Sequence, residues 1–271
     1  MGKYVIADTV WEFNFPQEFK QNNFNVFKVE TNDLAVHNIN FELVEKIEPL
    51  KKINYEENGL KMYVEDGIRR FDIKHASKVI VRGTYENNKS TYQVLKSYRG
   101  FAYIIHMLSY MRLSELIANY DVISLHASCV TMGNKLVVIV GDNSQKMIKE
   151  WLTVIEGSEL ISEDKILIKL ENNNFKIYTN PWNGPLGFKE NAKFSLEAIV
   201  ILEIGWSNVF LELPDEQKLF DLANYLGIMT DTVSNEYLMQ FCLDLVEKVK
   251  ILKFKGNKIS ANEIFTKIYF S

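Results

Sequence analysis

The chain has 271 residues, 47% hydrophobic and 24% charged, with 13 Gly and 5 Pro, so it can bury a substantial core and has the balance of an ordered globular protein. Its formal charge of -4, from 35 acidic and 31 basic residues, gives no basic excess and argues against a nucleic-acid partner. No run approaches the ~20 apolar residues of a membrane span, and the start Met1-Gly2-Lys3-Tyr4-Val5 fits neither a signal peptide nor a myristoylation site, so the expected setting is the cytoplasm with no membrane partner.

Region 1–97 reads as consecutive strands at 4–7, 25–30, 41–47, 60–64, 70–73, 79–84 and 91–95, where short apolar or alternating runs are separated by polar clusters. Glu57-Asn58-Gly59, Glu65-Asp66-Gly67 and Glu86-Asn87-Asn88 tolerate positive φ and suit hairpin turns, which predicts an antiparallel β-rich region. The period then changes. Phe101, Ile104, Ile105, Leu108, Met111, Leu113, Leu116 and Ile117 recur at helical spacing. In region 98–271, strands are predicted at 122–130 and 136–140 across Met132-Gly133-Asn134-Lys135, followed by a helix at 146–155. Strands at 166–170, 175–178 and 198–202, helices at 216–226 and 235–249, a strand at 251–254 and a helix at 261–268 complete the chain.

Cys129 and Cys242 lie far apart in apolar sequence and read as buried free thiols; a disulfide would need the fold to bring them together. His37, His75 and His106 share no metal-ligand spacing, so no metal site is predicted.

The run Leu136-Val137-Val138-Ile139-Val140 ends at Gly141-Asp142-Asn143-Ser144-Gln145-Lys146, a loop that carries a lysine and opens a helix, which is where a phosphate-binding loop sits. Against the P-loop pattern the spacing is one residue short, Gln145 stands where a glycine precedes the lysine, and Met147 replaces the hydroxyl that binds magnesium. Taken alone, these residues fit a plain strand-to-helix turn with a surface lysine better than a working phosphate loop. His126, between apolar neighbours, equally fits a hydrogen-bonded structural histidine, and Glu163 and Asp164 equally fit a solvated turn.

Four segments in order resemble the HPr kinase/phosphorylase family and its smaller relatives. Ser124-Leu125-His126-Ala127-Ser128-Cys129-Val130 followed by the strand into Gly141 resembles "LHAS-V…VLI-G"; Glu159-Leu160-Ile161-Ser162-Glu163-Asp164 resembles "LLSDD". Ile177-Tyr178-Thr179-Asn180-Pro181-Trp182-Asn183-Gly184 resembles the "TPW-G" stretch of short members, several of which accompany peptide-modifying gene clusters, and Ser195 to Glu203 resembles "PL-AIVFLE". The resemblance implies a mixed α/β protein whose antiparallel β-rich N-terminal region packs on a P-loop core of the HPr-kinase and phosphoenolpyruvate-carboxykinase kind. It implies phosphoryl transfer from ATP to a serine, with Lys146 on the phosphates, Asp164 as base and metal contact, Glu163 as a weaker partner and His126 in the site wall. Gly141, Asp142, Asn143 and Ser144 would supply the rest of the loop. The departures at 145 and 147 strike at electrostatic stabilisation, usually the largest catalytic contribution. The expectation is therefore a pseudokinase that binds a protein or precursor peptide and holds no cofactor tightly. The alternative is an active, atypical serine kinase of a small protein or peptide, using ATP and magnesium. Asp164 is expected beside the loop that contains Lys146.

Overall fold

The computed structural model describes residues 2–20, 22–57, 60–132, 135–141, 148–149, 152, 157–182, 191–226, 235–256, 263 and 266–268. The chain divides into two compact units, Met1–Tyr110 and Met111–Ser271. It is a mixed α+β protein with extensive sheet, and among the described residues no helix is long and apolar enough to cross a membrane.

In the first unit, β1 (Gly2–Ile6), β2 (Thr9–Asn14), β3 (Lys28–Val29), β4 (Asn38–Val44), β5 (Tyr55–Glu57), β6 (Leu60–Glu65), β7 (Ile68–His75), β8 (Lys78–Glu86) and β9 (Lys89–Leu95) form one sheet in the order β3-β1-β2-β4-β9-β8-β7-β6-β5. The hairpins are antiparallel as expected, but β4 pairs in parallel with both β2 and β9. Parallel neighbours need long connections, and the 15–37 and 45–88 stretches supply them. The expected strand at 25–30 is mostly a 3-10 helix, Asn22–Phe27, leaving only Lys28 and Val29 in the sheet. At three residues per turn Phe24 and Phe27 fall on one side, and both are buried. Phe15 stacks on Phe41 at 5.6 Å and Phe41 on Tyr92 at 5.1 Å, an aromatic row across the buried face.

Helix α1 (Phe101–Ile117) begins in the first unit and ends in the second. The second unit then contains β10 (Val122–His126), β11 (Ser128–Met132), β12 (Lys135–Gly141), β13 (Ser158–Ser162), β14 (Lys165–Glu171), β15 (Asn174–Tyr178), β16 (Lys193–Ile204) and β17 (Val209–Leu211). Helices α2 (Asp215–Ala223) and α3 (Asn235–Lys248) and strand β18 (Lys250–Gly256) follow. The strand order is β10-β14-β15-β16-β12-β11-β13, with β18 beside β16 and β17 beside β18.

Its centre is parallel: β12, β16 and β18 run in one direction. In β12 and in the 198–202 part of β16 both faces are buried, which is why these read as continuous apolar runs, whereas β18 alternates with lysines. Val138, Val140, Ile199 and Ile201 face a core shared with Leu222 of α2 and with Leu238, Phe241 and Leu245 of α3. Val137, Ile139, Val200 and Leu202 face the other way, against Ile148, Phe254 and Ile268. Cys129 and Cys242 are both buried free thiols; burial raises the Cys129 pKa and pushes that of Cys242 up to about 11. The expected continuous strand at 122–130 is interrupted at Ala127, and Ser158–Ser162, not expected as a strand, pairs with β11.

Candidate functional site

Gly141 closes β12 with φ +117, paired with Leu202 of β16. A Cβ there would lie 2.3 Å from the Leu202 carbonyl oxygen, so the position requires glycine for both backbone conformation and space. Gly141 thus ends at the carboxyl edge of the parallel strands, the side on which open α/β sheets bind ligands. Asp142, Asn143, Ser144 and Lys146 lie outside the described residues, as does most of the expected helix 146–155; residues 148 and 149 are helical.

The interruption at Ala127 builds the rest of the site. His126 pairs with Lys165 and Cys129 with Ser162, so the antiparallel register is kept across a bend at Glu163 and Asp164 and shifts only between Cys129 and Val130. Across the bend, the Ala127 amide donates to the Asp164 carbonyl at 2.9 Å, and the Ser128 hydroxyl donates to the Glu163 carbonyl at 2.9 Å. In an unbent strand Asp164 would share the core-facing side of Ile166. The bend turns its carboxylate outward instead, to 2.9 Å from Nδ1 of His126. The His126 backbone N–H donates to the Tyr225 carbonyl at 2.7 Å, which holds the end of β10. The β11–β12 pairing runs to Ser128↔Ile139, two residues before Gly141. Lys149 Nζ lies 3.9 Å from Glu163 Oε1, so Lys149 reaches the same bend.

Lys165 Nζ occupies the other Asp164 oxygen, Oδ2, at 2.7 Å. The His126 hydrogen bond, and then Lys165, outweigh burial and hold the Asp164 pKa at about 2. In return, the bond to Asp164 raises the His126 pKa, although burial and Lys165 oppose it. The His126 side chain is 65% exposed and that of Asp164 29%. With Nδ1 committed to Asp164, Nε2 is the imidazole nitrogen left for solvent or a ligand.

Three buried polar residues hold this arrangement. The Lys165 carbonyl accepts from the Ser162 hydroxyl at 2.8 Å and from Asn180 Nδ2 at 2.9 Å, and Asn180 Oδ1 accepts the Trp182 N–H at 3.0 Å. Ser128 completes the set through Glu163. Thr179 ties the same stretch to Ala192, accepting its N–H at 2.8 Å, and Trp182 is buried as a packing residue. The structure therefore brings His126, Glu163 and Asp164 together near the end of β12. Ser128, Ser162, Asn180 and Lys165 were given no role by sequence reasoning, although all but Lys165 stand inside segments that carried the resemblance.

What the fold and site define is an α+β unit with a hydrogen-bonded histidine–carboxylate pair near the carboxyl edge of its parallel strands. No family model matches the chain, and no curated protein does. Among solved structures, the HPr(Ser) kinase/phosphatase from Coxiella burnetii is similar over 54% of this chain and 92% of its own, at 9% identity and a TM-score of 0.30, a likeness too slight to carry an argument.

Proposed function

We propose that this chain is a divergent HPr-kinase-like protein that has lost ATP chemistry and binds a protein or precursor peptide. The observation that carries the reading is the state of Asp164. The residue that would accept the hydroxyl proton and touch the metal has one oxygen bonded to His126 and the other to Lys165. A carboxylate held at about pKa 2 is a weak proton acceptor, since a general base works best near the operating pH. A magnesium ion would also have to displace Lys165 from Oδ2. Gln145 and Met147 support the same reading from the loop, because they replace the glycine that admits phosphate and the hydroxyl that binds the metal. The parallel strands β12, β16 and β18, with Gly141 at their carboxyl edge, are consistent with a P-loop-type core.

One observation favours the active kinase instead. His126, raised in pKa and open at Nε2, could take a substrate hydroxyl proton in place of Asp164. Calorimetric titration with magnesium-ATP, beside a Lys146→Ala variant, separates the two readings. The pseudokinase reading expects affinity no better than the millimolar range, where about 4 kcal/mol is the whole binding free energy. Micromolar binding abolished by Lys146→Ala would overturn it.

A further inference from the structure

A cleft of about 340 Å3 opens on the second unit, lined by the β14–β15 turn, the first part of β16 and the end of α3. It is separate from the candidate site. Leu196 lines it, whereas Leu202, six residues further along β16 and therefore ~20 Å away at ~3.3 Å per residue, is the partner of Gly141.

Two lysines are held at its wall. Lys176 Nζ donates to Ser195 Oγ at 2.7 Å and Lys248 Nζ to Asn173 Oδ1 at 2.6 Å, and these four residues all line the cleft. Both acceptors are neutral, and none of the lining residues is acidic. Five other lysines of this unit, Lys165, Lys193, Lys218, Lys253 and Lys255, each have a carboxylate within 3.4 Å, while Lys250 donates to the Lys267 and Ile268 carbonyls. Two ammonium groups on one cleft, with no carboxylate among the described residues that line it, repel each other and attract an anion. Lys248 lies in the last turn of α3, whose dipole offsets about half a charge, so an excess near one and a half positive charges remains. Each ammonium has three N–H donors and spends one on its neutral partner, which leaves two for a ligand.

We propose that this cleft binds an oxyanion of about two negative charges, a phosphate monoester or a dicarboxylate, with Lys176 and Lys248 as charge partners and the Ser195 hydroxyl and Asn174 amide as further donors. The cleft exceeds what one phosphate fills, so it also accommodates the group that carries the anion. This inference goes beyond the reading of the ATP site and does not depend on it.

The test is an amide NMR titration of the whole chain at low salt, with inorganic phosphate in one arm, succinate in a second and chloride as the ionic control. Saturable shifts at Asn174, Lys176, Ser195 and Val249 are expected, with a dissociation constant in the millimolar range. Response to phosphate alone assigns a phosphate ester, to succinate alone a dicarboxylate, and to both a general oxyanion cleft. In the double variant Lys176→Gln, Lys248→Gln the dissociation constant rises at least about tenfold while the remaining spectrum is unchanged, because two exposed charge contacts are removed. The proposal is overturned if no saturable shift appears by roughly 50 mM, far outside specific binding, if chloride reproduces the shifts, or if the double variant binds equally well.

Discussion

Replacing Asp164 by asparagine removes the charge between His126 and Lys165 while keeping an oxygen that can accept the Nδ1–H. The lowering of the Asp164 pKa from an ordinary 3.8 to about 2 corresponds to an upper limit of ~2.4 kcal/mol at 1.36 kcal/mol per pH unit. His126 is 65% exposed, so solvent screening reduces this, and a loss of about 1–2 kcal/mol in stability is the worked expectation. The dependence on pH has a definite sign. Asp164 has a depressed folded pKa, so its share is fully present above about pH 4 and disappears as pH falls through about 2. His126 has a raised folded pKa, so its share is fully present below about pH 6.5 and disappears as pH rises through the folded value. Urea denaturation of the two proteins should therefore differ most between about pH 4 and 6.5. The gap should narrow at either side, with a remainder at high pH because Lys165 still pairs with Asp164. An NMR titration of the histidines, with the His126 signal assigned from a His126→Gln variant, should show its pKa falling toward the ordinary value in Asp164→Asn. An unchanged His126 pKa would refute the contact on which the site is built.

Gly141→Ala should cost about 2–4 kcal/mol, since it combines a Cβ 2.3 Å from a backbone oxygen with a φ that side chains avoid. Thermal denaturation measures this, and a neutral substitution would contradict the close approach of β12 and β16. Asn180→Ala should cost about 1–3 kcal/mol, because it leaves the buried Trp182 N–H without its acceptor. It should also shift the His126 titration, since it frees half of the clamp on the Lys165 carbonyl; a stability loss with an unmoved His126 pKa would make Asn180 a packing residue only.

Strands were legible where alternation and turn chemistry coincided. Asp66 and Gly67, with φ of 50 and 79, form the turn that Glu65-Asp66-Gly67 predicts. The β1–β2 hairpin was not legible, because its turn uses Ala7 and Asp8 at φ 52 and 60 and alanine gives no signal for positive φ. At 25–30 the apolar residues do not reveal their period in so short a run, and a 3-10 turn took Phe24 and Phe27 inward. Ala127 looks like any strand residue; what stops the strand there is the bend on the opposing segment, a property of the pairing and not of either sequence. The same holds for the site. His126 and Asp164 could be named from the chain, but Ser128 bonds across 35 residues and Asn180 across 15, contacts no local pattern encodes.

On the proposed reading, the contacts at these positions explain how the resemblance persists without ATP chemistry. Ser128 and Ser162 tie the 163–165 bend, Thr179 and Asn180 fasten the stretch that closes over it, Gly141 lets β16 approach β12, and Ile199 and Ile201 fill the core. Each matched segment therefore contains residues that this fold needs for its own hydrogen bonds or packing, whatever it binds. The departures are of another kind. Gln145 and Met147 replace a glycine and a hydroxyl whose tasks in a P-loop concern phosphate and magnesium. Residues with structural partners are thus present, while two positions with nucleotide tasks, 145 and 147, are changed and Lys146 is kept, a division that on the proposed reading belongs to a scaffold with a weakened ATP site. It follows that lost binding in a Gly141, Ser162 or Asn180 variant reports the scaffold, and that Lys146, to which the resemblance gives only a phosphate task, is the position to vary in testing nucleotide binding.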